Sequence, residues 1–301
     1  MKNLIVKIEE KNKKILVSKY LTSIFKNVPY SAICKALRNK DIRVNNIKIS
    51  SDILVQNNDI LDVYIQDNIL FNLPKEIKYY YNDENILIAF KPQGILSNNE
   101  DLSSKLFEPT FEELVIKDLA DNNIKICHRL DRNTAGLVIF TKNENAYVEM
   151  LDAFKDNKIH KEYIAYVANS NFAKSHNVLE AYILQDKKAG FSKISQANVK
   201  YSEKITTEFT VLEKNIKQDY AKLSVILHTG KTHQIRAHLA SINHPIIGDS
   251  KYGKNDVNKK FKKNRQLLFA NKYTFSFDNE SMLKYLNNKI IQLEKEVTEF
   301  K

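Results

Sequence analysis

Residues Cys127 to Asn143 read CHRLDRNTAGLVIFTKN, and this stretch is the most informative part of the 301-residue chain. It sets one carboxylate, Asp131, between two guanidinium groups, Arg129 and Arg132. Thr134-Ala135-Gly136 reads as a tight turn, and Leu137-Val138-Ile139-Phe140 as a buried apolar strand. Strand patterns on both sides predict that the loop carrying Asp131 is held rigidly. A carboxylate fixed among positive charges stays ionised and available as a nucleophile. On local chemistry alone, an Asp capping loop amides beside salt-bridged arginines accounts for the same residues.

Composition narrows the field. At 43% hydrophobic residues the chain can bury a core, and its length suits two domains or one large one. A net charge of +11 points to a polyanionic partner, nucleic acid first. Residues 1–65 hold ten Lys and two Arg against six acidic residues, so a fifth of the chain carries over half the excess. An AT-rich genome also enriches Lys, Asn and Ile, and accounts for part of this bias. The two cysteines, Cys34 and Cys127, form no Cys-x-x-Cys pair, which argues against a zinc site or disulfide framework and fits a reduced, cytoplasmic setting. The opening residues show only a short apolar patch, so neither a signal peptide nor a membrane span is expected.

The His128-Arg129-Leu130-Asp131 core, with Thr134 after it, resembles the signature of the RluA-type pseudouridine synthases, enzymes that isomerise uridine within RNA. Ala135 stands where the family usually has Ser. Further blocks follow in the family's order. Lys91-Pro92-Gln93-Gly94 resembles a Lys-Pro-x-Gly turn after the strand-like Ile86–Phe90, and Lys161-Glu162-Tyr163-Ile164-Ala165 a Lys-x-Tyr-x-Ala strand. Gly230–Leu239, GKTHQIRAHL, is similar to the Gly-Arg-Thr-His-Gln-Ile-Arg block. His244–Asp249 with Tyr252-Gly253 follows, then Arg265–Ala270, in which Phe269 replaces a common His. The resemblance implies an α+β catalytic domain over residues 81–301, built on a mixed, mostly antiparallel sheet.

Residues 13–65 read as a smaller α/β unit. Helical patterns cover Ile15–Phe25 and Ser31–Arg38, with Ser31 the expected N-cap after Pro29, and strand alternation covers 42–45 and 60–65. Lys35, Arg38, Lys40 and Arg43 cluster where the second helix meets the strands, a placement suited to RNA phosphates. The layout resembles the RNA-binding domain named after ribosomal protein S-four. Asn45-Asn46 and Asn58-Asp59 replace its usual Asn-Gly and Gly-Asp, and Asn tolerates left-handed backbone. The expected domains are thus 1–65, a linker at 66–80, and 81–301. Thr110-Phe111-Glu112-Glu113 is a capping box opening a helix to about Ala120. Strands are expected at Tyr163–Val167 and Tyr220–Leu227. Ile235, Leu239 and Ile242 place Arg236 in the first turns of a helix, and the stretch from Asn279 reads as one more amphipathic helix.

Pseudouridine formation breaks the uracil N1–C1′ bond, turns the base and rejoins it through C5, without need of metal, nucleotide or redox cofactor. The resemblance assigns the nucleophile to Asp131, its charge partner to Arg236, and a uracil-facing ring with a proton-relaying hydroxyl to Tyr163. It gives Arg129 the space vacated by the extruded base, and His128 a place packed beneath the loop. Lys91, Lys231 and Gln234 complete the implied substrate-binding set, with Lys231 keeping the charge but not the planar fork of the family's Arg. A phosphate-binding loop ending at Gly230-Lys231-Thr232 fails, because its earlier Gly falls at Val225. His233 and His238 are five apart and face different ways on a helix, and no Gly-x-Ser-x-Gly elbow exists. The expected protein is a monomeric, cofactor-free synthase acting on large-subunit ribosomal RNA. Transfer RNA and a non-catalytic RNA-binding role are the alternatives.

Overall fold

The computed structural model describes residues 4–8, 14–25, 28–65, 73–99, 108–186 and 190–300. The chain divides into two compact units, Met1–Glu76 with Glu100–Pro109, and Ile77–Asn99 with Thr110–Lys301.

In the first unit an antiparallel sheet runs in the order β1 (Leu4–Lys7), β6 (Ile60–Val63), β3 (Ile42–Val44), β4 (Ile47–Ile49). A second ribbon pairs β2 (Ile15–Leu16) with β5 (Leu54–Val55). That pairing takes Ile15 and Leu16 into a strand, so helix α1 (Val17–Ile24) starts later than its apolar spacing predicts. Helix α2 (Tyr30–Arg38) has Pro29, not Ser31, at its N-cap, because proline's φ of −65° with an extended ψ already sets the entry. Leu21, Ile33, Ile42, Leu61 and Val63 close the core. The β3–β4 turn uses left-handed Asn45 and Asn46, and the Asn45 carboxamide also ties down the start of β6 through Asp59 and the Ile60 amide. Lys35, Arg38 and Lys40 are exposed. Arg43 is half-buried, with its guanidinium 5.1 Å from the Tyr64 ring centre.

The second unit is α+β, on a mixed, mostly antiparallel sheet. Among the described residues its strand order is β13 (Phe191–Ser195), β12 (His176–Asp186), β14 (Glu203–Asn215), β15 (Tyr220–Leu227), β11 (Ile159–Ala168), β16 (Leu268–Phe275), β10 (Ala135–Thr141), β8 (Ile86–Lys91), β7 (Tyr79–Asn82). Strand β9 (Lys125–Ile126) flanks β10 and β17 (Ile290–Gln292) flanks β16. Strand β7 begins inside the span expected to be linker, of which residues 66–72 lie outside the described residues. Every residue of β10 is buried, as its apolar run requires. Leu137 and Ile139 pack with Ala146, Met150 and Ala153 of helix α4 (Glu144–Lys155), and Phe140 meets Phe111 of helix α3 (Phe111–Leu119) at 5.7 Å. Helix α3 opens with the expected capping box, Thr110 and Glu113 each accepting from the other's backbone amide.

Two expectations are corrected in this unit. Gly136 belongs to β10 rather than to a turn before it. Its φ is +133°, and a Cβ there would stand 2.4 Å from the Ala270 backbone, so only glycine lets β10 and β16 join in parallel. The C-terminal stretch is not a helix. Asn288 turns left-handed and Asn287 bonds the Phe277 backbone, which ends a 3-10 turn at Lys284–Leu286. The β-branched Ile290-Ile291 then pairs with β16, while Leu283, Leu286 and Leu293 anchor the segment in the core. No helix among the described residues is long and apolar enough to cross a membrane.

Substituting Gly136→Ala should lower stability to urea by at least ~3 kcal/mol, since backbone strain and overpacking act together. Gly230→Ala should stay within ~1 kcal/mol, because its Cβ would meet only the Lys161 ammonium at an ordinary 3.7 Å.

Candidate active site

Three separate parts of the second unit meet at one cleft. The loop before β10 carries Asp131, the middle of β11 carries Tyr163, and helix α5 (Gln234–Ser241), packed against β13 and β14, carries Arg236. The cleft is about 240 Å³ and is lined by these three residues together with His128, Arg129, Lys161 and His233, among others.

The Asp131 loop is clamped from behind by the Lys-Pro-Gln-Gly turn. Gly94 N–H donates to the Arg132 carbonyl at 2.7 Å, and the Arg132 guanidinium donates back to the Gly94 carbonyl at 3.3 Å. Ser97 Oγ both donates to the Leu130 carbonyl and accepts its amide, each at 2.9 Å. Thr134 N–H donates to the Asp131 carbonyl, and Gln266 donates to Thr134 Oγ1. Lys91 is the centre of this clamp and not a substrate contact. Its ammonium is fully buried and donates to the carbonyls of Pro92, Ile95 and Arg132 at 2.8–3.1 Å, using all three donors. Burial pushes its pKa down to about 7, against the pull of Asp131 and with the help of Arg132 and Arg265.

Arg236 is buried and uses its guanidinium on two carboxylates. Nε and Nη2 grip Asp249 at 2.7 and 3.0 Å, and Nη1 donates to Asp131 Oδ2 at 2.7 Å. Burial opposes the charge on Arg236, but the bond to Asp249 and the charges of Asp131 and Asp249 outweigh it and raise its pKa. Asp249 is wholly buried. Burial pushes its carboxyl up, yet the bonds and charge of Arg236 and the amides of Lys251 and Tyr252 hold it below the usual carboxylate range. The turn before Asp249 needs Gly248, at φ +82°, whose Cβ would fall 2.0 Å from the Arg265 carbonyl oxygen.

Tyr163 is nearly buried, and burial followed by the nearby Asp131 charge raises its pKa, so it stays a neutral phenol. Among the described residues no group hydrogen-bonds its hydroxyl. His128 lies beneath the loop, half-buried, and also lines the cleft. Its Nε2 accepts the Ile139 amide at 3.1 Å, and burial, with Lys161 adding to it, lowers its pKa to about 3. Its ring nitrogen thus holds the backbone of β10 behind the loop. Arg129 lines the cleft, and Lys231 lines it while pairing with Glu203.

Gln234 is also corrected from substrate contact to positioning residue. Its oxygen accepts from Thr229 Oγ1 and the Lys231 amide, and its nitrogen donates to Thr206 O and Thr207 Oγ1. No part of the amide is left for a ligand. His238 turns away to Thr207, leaving only His233 of the two on the cleft. Sequence reasoning assigned no role to Asp249, Tyr252, His233 or Lys161, although each stands inside one of the quoted blocks. The signal that could have found Asp249 was the demand of a buried arginine for a second anion.

A family model described as RNA pseudouridylate synthase matches residues 85–241. The chain is 32% identical to an uncharacterized RNA pseudouridine synthase of Mycoplasma capricolum, with 91% of each chain covered. It is 31% identical to the ribosomal large subunit pseudouridine synthase C of Buchnera aphidicola subsp. Baizongia pistaciae, covering 89% of this chain and 88% of that one. Its fold is similar to that of the human RNA pseudouridylate synthase domain containing 1 protein, with a TM-score of 0.58 at 20% identity over 73% of this chain and 91% of that one. The chain belongs to the RNA pseudouridylate synthase family, a family of isomerases.

Replacing Asp249 by Asn leaves Arg236 with one anion in a buried site and should cost about 4 kcal/mol in urea unfolding. The folded pKa of Asp249 lies below the ordinary carboxylate value of 3.8, so its contribution is complete above that pH and fades as pH falls through the folded pKa. The gap between wild type and Asp249→Asn should therefore narrow below about pH 4, as unfolding curves taken across the acid limb would record.

Proposed function

We propose that this protein isomerises specific uridines of large-subunit ribosomal RNA to pseudouridine, with Asp131 as the nucleophile, as a cytoplasmic monomer that uses no metal or organic cofactor. The observation that carries the assignment is the 2.7 Å contact from Arg236 Nη1 to Asp131 Oδ2, in a cleft that Tyr163 also faces. Several relatives, in Buchnera, Rickettsia and Haemophilus, bear the name ribosomal large subunit pseudouridine synthase C, which supports the choice of RNA.

The target uridine leaves its stack and enters the cleft, with Arg129 taking the vacated space. Asp131, oriented by Arg236, supplies the anion needed beside C1′ and C6 of the bound nucleotide. The N1–C1′ bond breaks, and the detached uracil turns so that C5 faces C1′. The C5–C1′ bond then forms, C5 gives up its proton, and N1 ends protonated, so no atom is gained or lost. Tyr163 offers its ring to the base and an O–H that no group among the described residues satisfies. The first unit acts as an S-four-like RNA-binding domain over residues 1–65, with Lys35, Arg38, Lys40 and Arg43 on phosphates.

Asp131→Asn should abolish turnover, by at least ~10³-fold, while RNA affinity stays within about threefold. A carbodiimide-based pseudouridine map of ribosomal and transfer RNA should lose the same ribosomal sites in this mutant and in cells lacking the gene. Loss of transfer-RNA sites instead would move the substrate, and an unchanged map would leave an RNA-binding role. Removing residues 1–65 should weaken RNA binding and reduce the slope of log K against log salt by about 3, from four lost phosphate contacts at roughly 0.7 each. An unchanged slope would assign this domain another task.

A further inference from the structure

Asp131 Oδ2 has a second neighbour besides Arg236. His233 enters helix α5 with left-handed backbone, φ +60°, and this conformation brings its ring over the cleft. Nε2 stands 3.8 Å from Asp131 Oδ2, longer than a hydrogen bond, a looseness common where a catalytic contact tightens only around substrate. On the other side of the ring, Nδ1 lies 2.9 Å from the Tyr252 hydroxyl. That hydroxyl also takes the backbone N–H of Ser192 at 2.7 Å.

One of these bonds has a direction fixed by chemistry. A backbone amide can only donate, so the Tyr252 oxygen accepts from Ser192. The phenolic hydrogen has two neighbours that can accept it, Ser192 Oγ, whose own hydrogen goes to the Thr232 carbonyl, and His233 Nδ1, and an imidazole nitrogen is the stronger acceptor. A neutral imidazole that accepts at Nδ1 carries its hydrogen on Nε2. Tyr252 is itself held in place by stacking on Phe191, with ring centres 4.5 Å apart, and it lies beside the Arg236 guanidinium.

We propose that Ser192 N–H, Tyr252 and His233 form a relay of fixed polarity that points a permanent N–H of His233 at Asp131 Oδ2, making His233 a positioning residue for the reacting carboxylate. Arg236 and His233 then share Oδ2, and Oδ1, which accepts no hydrogen bond among the described residues, is the oxygen that attacks. The inference rests on the reading of Asp131 as nucleophile. The charged and titratable groups around His233 are Asp131, Arg236, Lys251, Asp249 and Tyr252. Burial lowers its pKa, Asp131 and Asp249 raise it, and Arg236 and Lys251 lower it, with a net fall from 6.5. The neutral form is therefore the working form at neutral pH, and its tautomer matters.

Tyr252→Phe removes the acceptor lock. The neutral ring can then carry its hydrogen on Nδ1 and turn a lone pair toward Asp131. Protonation at lower pH puts a hydrogen on both nitrogens and restores the donor. The mutant should lose about tenfold in single-turnover rate at pH 8, with KM little changed, and recover most of it, relative to wild type at the same pH, as the pH falls through the lowered His233 pKa. His233→Gln, which carries an amide N–H to a similar place, should lose less than His233→Asn and show no such recovery. Imidazole nitrogen shifts from a protein labelled with ¹⁵N-histidine read the relay without any turnover. Wild type should show His233 as the Nε2–H tautomer, and Tyr252→Phe a mixture or the reverse. An Nδ1–H tautomer in wild type, or a Tyr252→Phe rate loss with no recovery at low pH, overturns the relay. A wild-type protein inactive on every RNA overturns the proposed function instead, and the nitrogen shifts still decide the polarity of the bonds.

Discussion

The arrangement of the catalytic unit depends on one arginine having two anions. A lone carboxylate beside Arg236 would leave part of a buried guanidinium without acceptors, which is costly in a medium of low polarity. Asp249 removes that cost by taking two N–H groups in the plane of the fork. The remaining Nη1 then has one direction in which to point, and Asp131 lies along it. Precision at Asp131 thus comes from a residue on the far side of the arginine. The same logic recurs at the Asp131 loop, where three backbone carbonyls converge on a buried lysine.

Much of this was legible in the sequence, for identifiable reasons. The apolar run 137–140 could only be an interior strand, and Thr110 with Glu113 could only be read as a helix start. The clustering of Asp131, Tyr163 and Arg236 was legible through the ordered blocks, since nothing local in Lys161–Ala165 announces that Tyr163 faces a cleft. The rest depended on tertiary partners. Lys91 and Gln234 look like ligand-binding groups in a string of letters, because a polar side chain does not declare whether carbonyls of its own chain will surround it. Asp249 was silent for the opposite reason, as its role exists only where a buried arginine meets it. The C-terminal stretch misled because its leucines suit a helix, while Asn287, Asn288 and the paired isoleucines favour a turn and a strand once β16 is available.

Residues that look like ligand contacts in the sequence and residues with hydrogen-bonding capacity to spare in the cleft are therefore different sets here. Tyr163 keeps a hydroxyl that no described residue hydrogen-bonds. The groups with every donor and acceptor committed hold the walls. Both sets contribute to a single geometry, since preorganised dipoles around a reacting centre are useful only when they cannot relax away from it.

Strand β16 lies between β10 and β11, so residues 268–275 join the part of the sheet bearing Asp131 to the part bearing Tyr163. On a ribosome making this chain, the two parts can each gather local contacts early, but they cannot be joined until this late segment has emerged. The cleft is completed near the end of synthesis. A nascent chain can therefore expose its basic first unit well before the cleft exists, and the fold itself supplies the delay.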